Sequence, residues 1–143
     1  MGRQRELTDR EIEEHARHLA ELPRIRTLAD VDALTPDVEG VWASGLTDEM
    51  LVRLVERVPG LRVLASDGNS RVTDAGLGAL CGFTRIESLD LEWSAVSDAG
   101  LPLIAAVSTL KWVDVEGSEG VTIAGLASLR AGRPDLEVEP QDL

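Results

Sequence analysis

The sequence is nearly without cysteine and nearly without lysine. Cys81 stands alone in 143 residues, so no disulfide forms within the chain, and such usage fits the cytoplasm. Lys111 is the one lysine; the other cationic side chains are arginine, a bias that suggests a GC-rich bacterial coding sequence. Positive charge is scarce altogether: 14 Lys and Arg stand against 26 Asp and Glu, a formal net charge of −12. That balance disfavours nucleic acid or an anionic membrane as the main partner, because phosphate binding needs clustered cations. It is compatible with a basic protein partner, and equally with acid side chains that only keep the chain soluble. No stretch approaches the roughly 20 apolar residues of a membrane span. The opening MGRQRELTDREIEEH has no apolar run, so no secretory signal is expected there. What is present is globular: 43% hydrophobic and 28% charged residues, in a length that suits one domain.

The chain repeats itself. LRVLASDGNSRVTDAGLGAL begins at Leu61, IESLDLEWSAVSDAGLPLIA at Ile86 and LKWVDVEGSEGVTIAGLASL at Leu110. A fainter copy begins at Val38 and a truncated one, LEVEP, at Leu136. Each copy opens with apolar residues at alternate positions, the mark of a strand with one face buried. A turn rich in Gly, Asn and Ser follows. Then come Thr47, Thr73, Ser97 and Thr122, residues whose hydroxyls cap a helix by accepting from free backbone N–H groups. Asp48, Asp74 and Asp98 come next, where a carboxylate suits the positive end of a helix. Leucines three apart then mark one helix face, as at Leu51 and Leu54 or Leu77 and Leu80. A strand and a short helix cannot bury themselves alone; stacked, they form a parallel sheet backed by helices.

The pattern LxxLxL followed by VTDAGL at 72–77 and VSDAGL at 96–101 resembles a leucine-rich repeat of the bacterial, cysteine-containing or GALA-like kind. The resemblance covers roughly residues 38–140. It implies an α/β fold: a short leucine-rich-repeat solenoid with a parallel sheet on the concave face and helices on the convex face. It also implies that the chain works by binding protein. Only Asn69 holds the asparagine position of such repeats, and Ser66 and Ile123 depart from the pattern.

The ends read as covers. Thr8 with Glu11 fits a capping box, and Leu7 with Ile12 a hydrophobic staple, predicting a helix from about Asp9 to Leu22. A short helix is predicted near Leu28–Leu34. Residues 1–37 thus form an N-terminal helical cap and lead-in, and residues 38–143 about four repeats with a C-terminal capping strand, together one structural unit. Terminal repeats need such covers to stay soluble.

The strand positions left out of the core fall into columns. One reads Gly40, Val63, Ser88, Trp112; the next Trp42, Ala65, Asp90, Asp114; the next Ser44, Asp67, Glu92, Glu116, with Trp93 following Glu92. Adjacent strands lie about 4.8 Å apart, so these groups would share one patch. Tryptophan is enriched at binding hot spots, and carboxylates around it select a cationic partner. The expected partner-binding residues are therefore Trp42, Asp67, Asp90, Glu92, Trp93, Trp112, Asp114 and Glu116. Trp42 alternatively packs under the N-terminal cap, and Trp93 alternatively only closes its turn.

Chemistry has weaker support. The acids come from separate strands and lack a DxDxDG-like loop, so neither a metal site nor a carboxylate hydrolase is expected. His15 and His18 with Glu11 and Glu14 read as a solvated helix face, Cys81 as a small core residue, and Gly76, Gly100 and Gly125 as close helix-to-sheet packing. No cofactor is expected. The sequence predicts a non-enzymatic, cytoplasmic protein-interaction module that takes a basic protein on an acidic, Trp-bearing face. An immunity-type inhibitor of a basic toxin or nuclease is an alternative within that class. An accessory subunit or enzyme with a carboxylate or metal site on that face is the alternative from another class.

Overall fold

The structure, a computed structural model, describes Arg10 and residues 21–141. The predicted helix at Asp9–Leu22, its capping box and the His15/His18 face lie outside the described residues but for Arg10, which is helical, and Glu21 and Leu22 at its predicted end. The fold is α/β. Six strands form one all-parallel sheet in chain order: β1 Arg24–Ile25, β2 Gly40–Ala43, β3 Val63–Ser66, β4 Ser88–Asp90, β5 Trp112–Asp114 and β6 Glu137–Glu139. Helices separate them: α1 Leu28–Asp32, α2 Asp48–Arg57, α3 Asp74–Leu77, α4 Leu101–Ala105 and α5 Ile123–Gly132. The short lead-in helix is present as α1, and the lead-in also supplies a strand, β1, that the sequence did not announce.

Strand register explains the apolar alternation. Leu64, Leu89, Val113 and Val138 stand side by side and are buried with the helix residues Leu51, Leu54, Leu77, Leu80, Ile104 and Leu129 in one continuous core. Each fully buried leucine is worth about 2 kcal/mol relative to an exposed one.

Thr47, Thr73 and Thr122 cap α2, α3 and α5, their side chains accepting from Met50, Ala75 and Gly125 N–H. Ser97 caps the 3₁₀ turn Asp98–Gly100 that leads into α4, accepting from Ala99 N–H. The aspartates that follow act differently from expectation. Rather than serving their own helix alone, they reach forward to the next unit. Asp48 accepts from Thr73 N–H at 2.8 Å and from its hydroxyl at 2.6 Å. Asp74 does the same for Ser97, and Asp98 for Thr122. These bonds hold Asp98 below the ordinary aspartate range.

The same aspartates explain the recurring glycines. A Cβ on Gly76, Gly100 or Gly125 would lie 2.1, 2.3 or 2.0 Å from the carboxylate of Asp48, Asp74 or Asp98. The crowding comes from the preceding unit's aspartate, not from helix-to-sheet packing. A third column is Ser70, Ser94 and Ser118, all buried. Ser94 and Ser118 hydroxyls lie 2.9 Å apart, and Ser118 donates to the Leu91 carbonyl. Asn69, by contrast, is exposed.

Cys81 is exposed, against expectation. Residues Gly78–Gly82 form a 3₁₀ turn. At three residues per turn, Leu77 and Leu80 share the inner side and the residue after Leu80 swings about 120° outward.

Candidate functional site

The open face of the sheet carries the first predicted column, Gly40, Val63, Ser88 and Trp112, in register, and the second in two halves. Arg24, Trp42 and Ala65 are neighbours at one end. Asp90, Asp114 and Glu139 are neighbours at the other. Parallel register therefore stacks three carboxylates on adjacent strands, one more than the sequence reading placed there. Continuing the column into the last strand, which the sequence also marks as a cap, reaches Glu139.

Asp90 and Asp114 have a local role. Asp90 accepts the Glu92 N–H at 3.0 Å, and Asp114 the Glu116 N–H at 2.9 Å, each closing the turn where its strand ends. Asp67 does likewise for Asn69 N–H at 3.1 Å. Asp114 is 6% exposed, which corrects the expectation of an accessible contact. Strands on both sides enclose it, and the Glu92 carboxyl sits against it. Asp90 and Glu92 are half-buried, and Asp67 and Glu116 exposed.

Crowding shows in the titration. Removal from water, with Asp114 and Asp67 adding repulsion, pushes Asp90 up from an ordinary 3.8 to about 6. A hydrogen bond from the Glu92 carboxyl to Asp114 pushes Glu92 up to about 8, helped by partial burial and by Asp90 and Glu116. Burial, then Asp114, also raises Glu139. One oxygen each of Asp90, Glu92 and Asp114 can be chosen so that all lie within 4.8 Å, a spacing in reach of one hard divalent cation. The sequence set a metal site aside for want of a ligating loop; ligands from neighbouring strands leave no such linear spacing.

The three tryptophans divide. Trp42 is half-buried, with the Arg24 guanidinium 5.2 Å from its ring centroid. Among the described residues its Nε1 is buried with no hydrogen-bond partner. The chain itself thus covers the indole N–H of Trp42. Trp112 is half-buried in the column of Ser88 and Glu137. Trp93 is 62% exposed, at φ 56°.

A scan against protein-family models and a search of curated proteins each return no match. Among the described residues, no helix is long and apolar enough to cross a membrane.

Proposed function

We propose that this chain is a short leucine-rich-repeat solenoid that acts without catalysis, binding a basic protein through the acidic, concave face of its sheet. One contrast carries the reading. At the strand entries, the residues just before β2 to β5 are Glu39, Arg62, Glu87 and Lys111, alternating in sign. Arg62 pairs with Glu39 at 3.8 Å and with Glu87 at 3.1 Å, and Lys111 with Glu87 at 3.6 Å. Three to five residues further on, the exits carry Asp90, Glu92, Asp114, Glu116 and Glu139 with one sign only. Among the described residues, the ion pairs lie elsewhere. Like charges at this spacing repel, which adds to the burial and hydrogen bonding that raise Asp90, Glu92 and Glu139. An external cation relieves that repulsion, which the chain's own Arg130 offsets at Glu139.

The test compares wild type with Asp90→Asn/Asp114→Asn and with a charge-matched control, Glu49→Gln/Glu56→Gln, on the exposed side of α2. Each is used to capture partners from the native lysate at low and high salt. A basic protein held by wild type and control, lost by the Asp90/Asp114 variant and shed by salt supports the reading. Equal capture by all three overturns it. The carboxylate trio favours one competing reading, a divalent-cation site. A rise of Tm with millimolar CaCl₂ or MgCl₂ that Asp90→Asn/Asp114→Asn abolishes would decide for that reading.

A further inference from the structure

Trp93 stands where its sister units place glycine. Five residues on from the first residue of β2, β3, β4 and β5 come Gly45, Gly68, Trp93 and Gly117. All four have positive φ: 63°, 82°, 56° and 78°. Glycine adopts that region freely, whereas a bulky side chain is strained there, and such outliers gather at functional sites. The indole edge lies by Gly68, and the benzo ring sits so closely on Gly117 that a Cβ there would fall 2.3 Å from it. Glycine on both sides therefore makes room for the ring, which still leaves 62% of the residue in solvent.

The ring forms one wall of a cleft of about 250 Å³. That is below the range of small-molecule pockets and suits a single long side chain. Val115, Val121 and Leu126 give it an apolar floor, while Glu116 and Glu119 bring carboxylates to it. Both glutamates are exposed. Glu119 lies outside the strand columns that the sequence displays. An aromatic wall, an apolar floor and a paired acidic rim match one side chain best. Arginine has an apolar stem, and its planar guanidinium stacks on indole and accepts carboxylate partners in a fork.

We propose that the Trp93 cleft is the socket for an arginine side chain of the partner; this rests on the reading of the acidic face as a protein-binding surface. Glu116 and Glu119 hold the guanidinium, and Trp93 stacks on it.

The test uses the full chain, ¹⁵N-labelled, titrated with N-acetyl-arginine methylamide while the three indole N–H signals are followed. The Trp93 signal is identified by its loss in Trp93→Gly. The comparison probe is N-acetyl-citrulline methylamide, equal in shape and uncharged. The arginine probe is expected to shift the Trp93 signal saturably, leaving those of Trp42 and Trp112 in place. Glu116→Gln/Glu119→Gln should weaken that binding roughly fivefold, the upper range for exposed charge contacts. No arginine-induced shift, an equal shift with citrulline, or an unchanged titration in the glutamine variant would each overturn the socket. Should the arginine probe fail while Asp90→Asn/Asp114→Asn still strips the partner, the socket falls and the acidic-face reading stands. Should the probe bind while that variant changes nothing, the acidic-face reading falls instead.

Discussion

Asp90 shows how one residue serves two masters. Its carboxylate closes a turn by accepting the Glu92 N–H, which a neutral amide oxygen does as well. Its charge, in contrast, is partly withdrawn from water and faces Asp114 across one strand spacing, and so costs stability. The folded-state pKa lies above the unfolded value, about 6 against 3.8. Its contribution to stability is therefore fully present below about pH 3.8 and is lost as the pH rises through 6. Asp90→Asn keeps the turn and removes the charge. At pH 8 it should stabilise the protein by on the order of 1 kcal/mol, the shift being discounted for partial solvent exposure. That is a Tm gain of roughly 3 °C. Near pH 4 wild type and variant should melt together. Thermal melts at both pH values check this, and an unchanged melt at pH 8 would show that Asp90 is not held charged against its neighbours.

At the scale of elements, helix starts are joined by bonds the sequence displayed without revealing their direction. The Thr/Ser-Asp pair is a legible cap signal, and the caps are where it placed them. Which groups the aspartate serves was not legible, because its Thr or Ser partners lie 23 to 25 residues away. The recurring glycine was visible for the same reason and its cause hidden for the same reason. Asp74→Ala removes two acceptor bonds to Ser97 and should cost about 2–3 kcal/mol, the range for bonds to a charged group. Gly100→Ala drives a methyl into that carboxylate and into Leu77, whose side chain lies 2.6 Å from the added Cβ. It should cost a similar amount. The two losses should not add. In the double variant the alanine at 100 meets space vacated by the Asp74 side chain, so urea melts should show a coupling of about 1 kcal/mol. Strict additivity would mean that the glycine answers to Leu77 or to the backbone instead.

For the whole molecule, strand order and the buried face were legible because a period near 24 residues leaves stacking in sequence order as the simplest solution. The open face was legible as columns, of which the first stands in register from Gly40 to Trp112 and the second in two halves. Its detail was not. Burial of Asp114 and the coverage of Trp42 by Arg24 depend on strands at either edge that the sequence reading treated as caps or missed. The balance of charge over the sheet now sets a prediction for the entire fold. The alternating ladder from Glu39 to Lys111 consists of half-buried to exposed pairs, each worth about 1 kcal/mol and weakened by salt. Against it stand the like-charge exits and a net charge of −12, whose repulsion salt relieves. The repulsive set is larger and less solvated, so at pH 8 Tm should rise as NaCl goes from low concentration to about 0.3 M, where charges beyond roughly 6 Å are screened. At pH 5, below the raised values of Asp90 and Glu92, these two are largely neutral and the rise should be smaller. Asp90→Asn/Asp114→Asn should flatten the pH 8 slope toward the pH 5 one. A Tm that falls with salt at pH 8 would mean that the ladder outweighs the exits. The acidic face would then have no repulsion for a cationic partner to relieve.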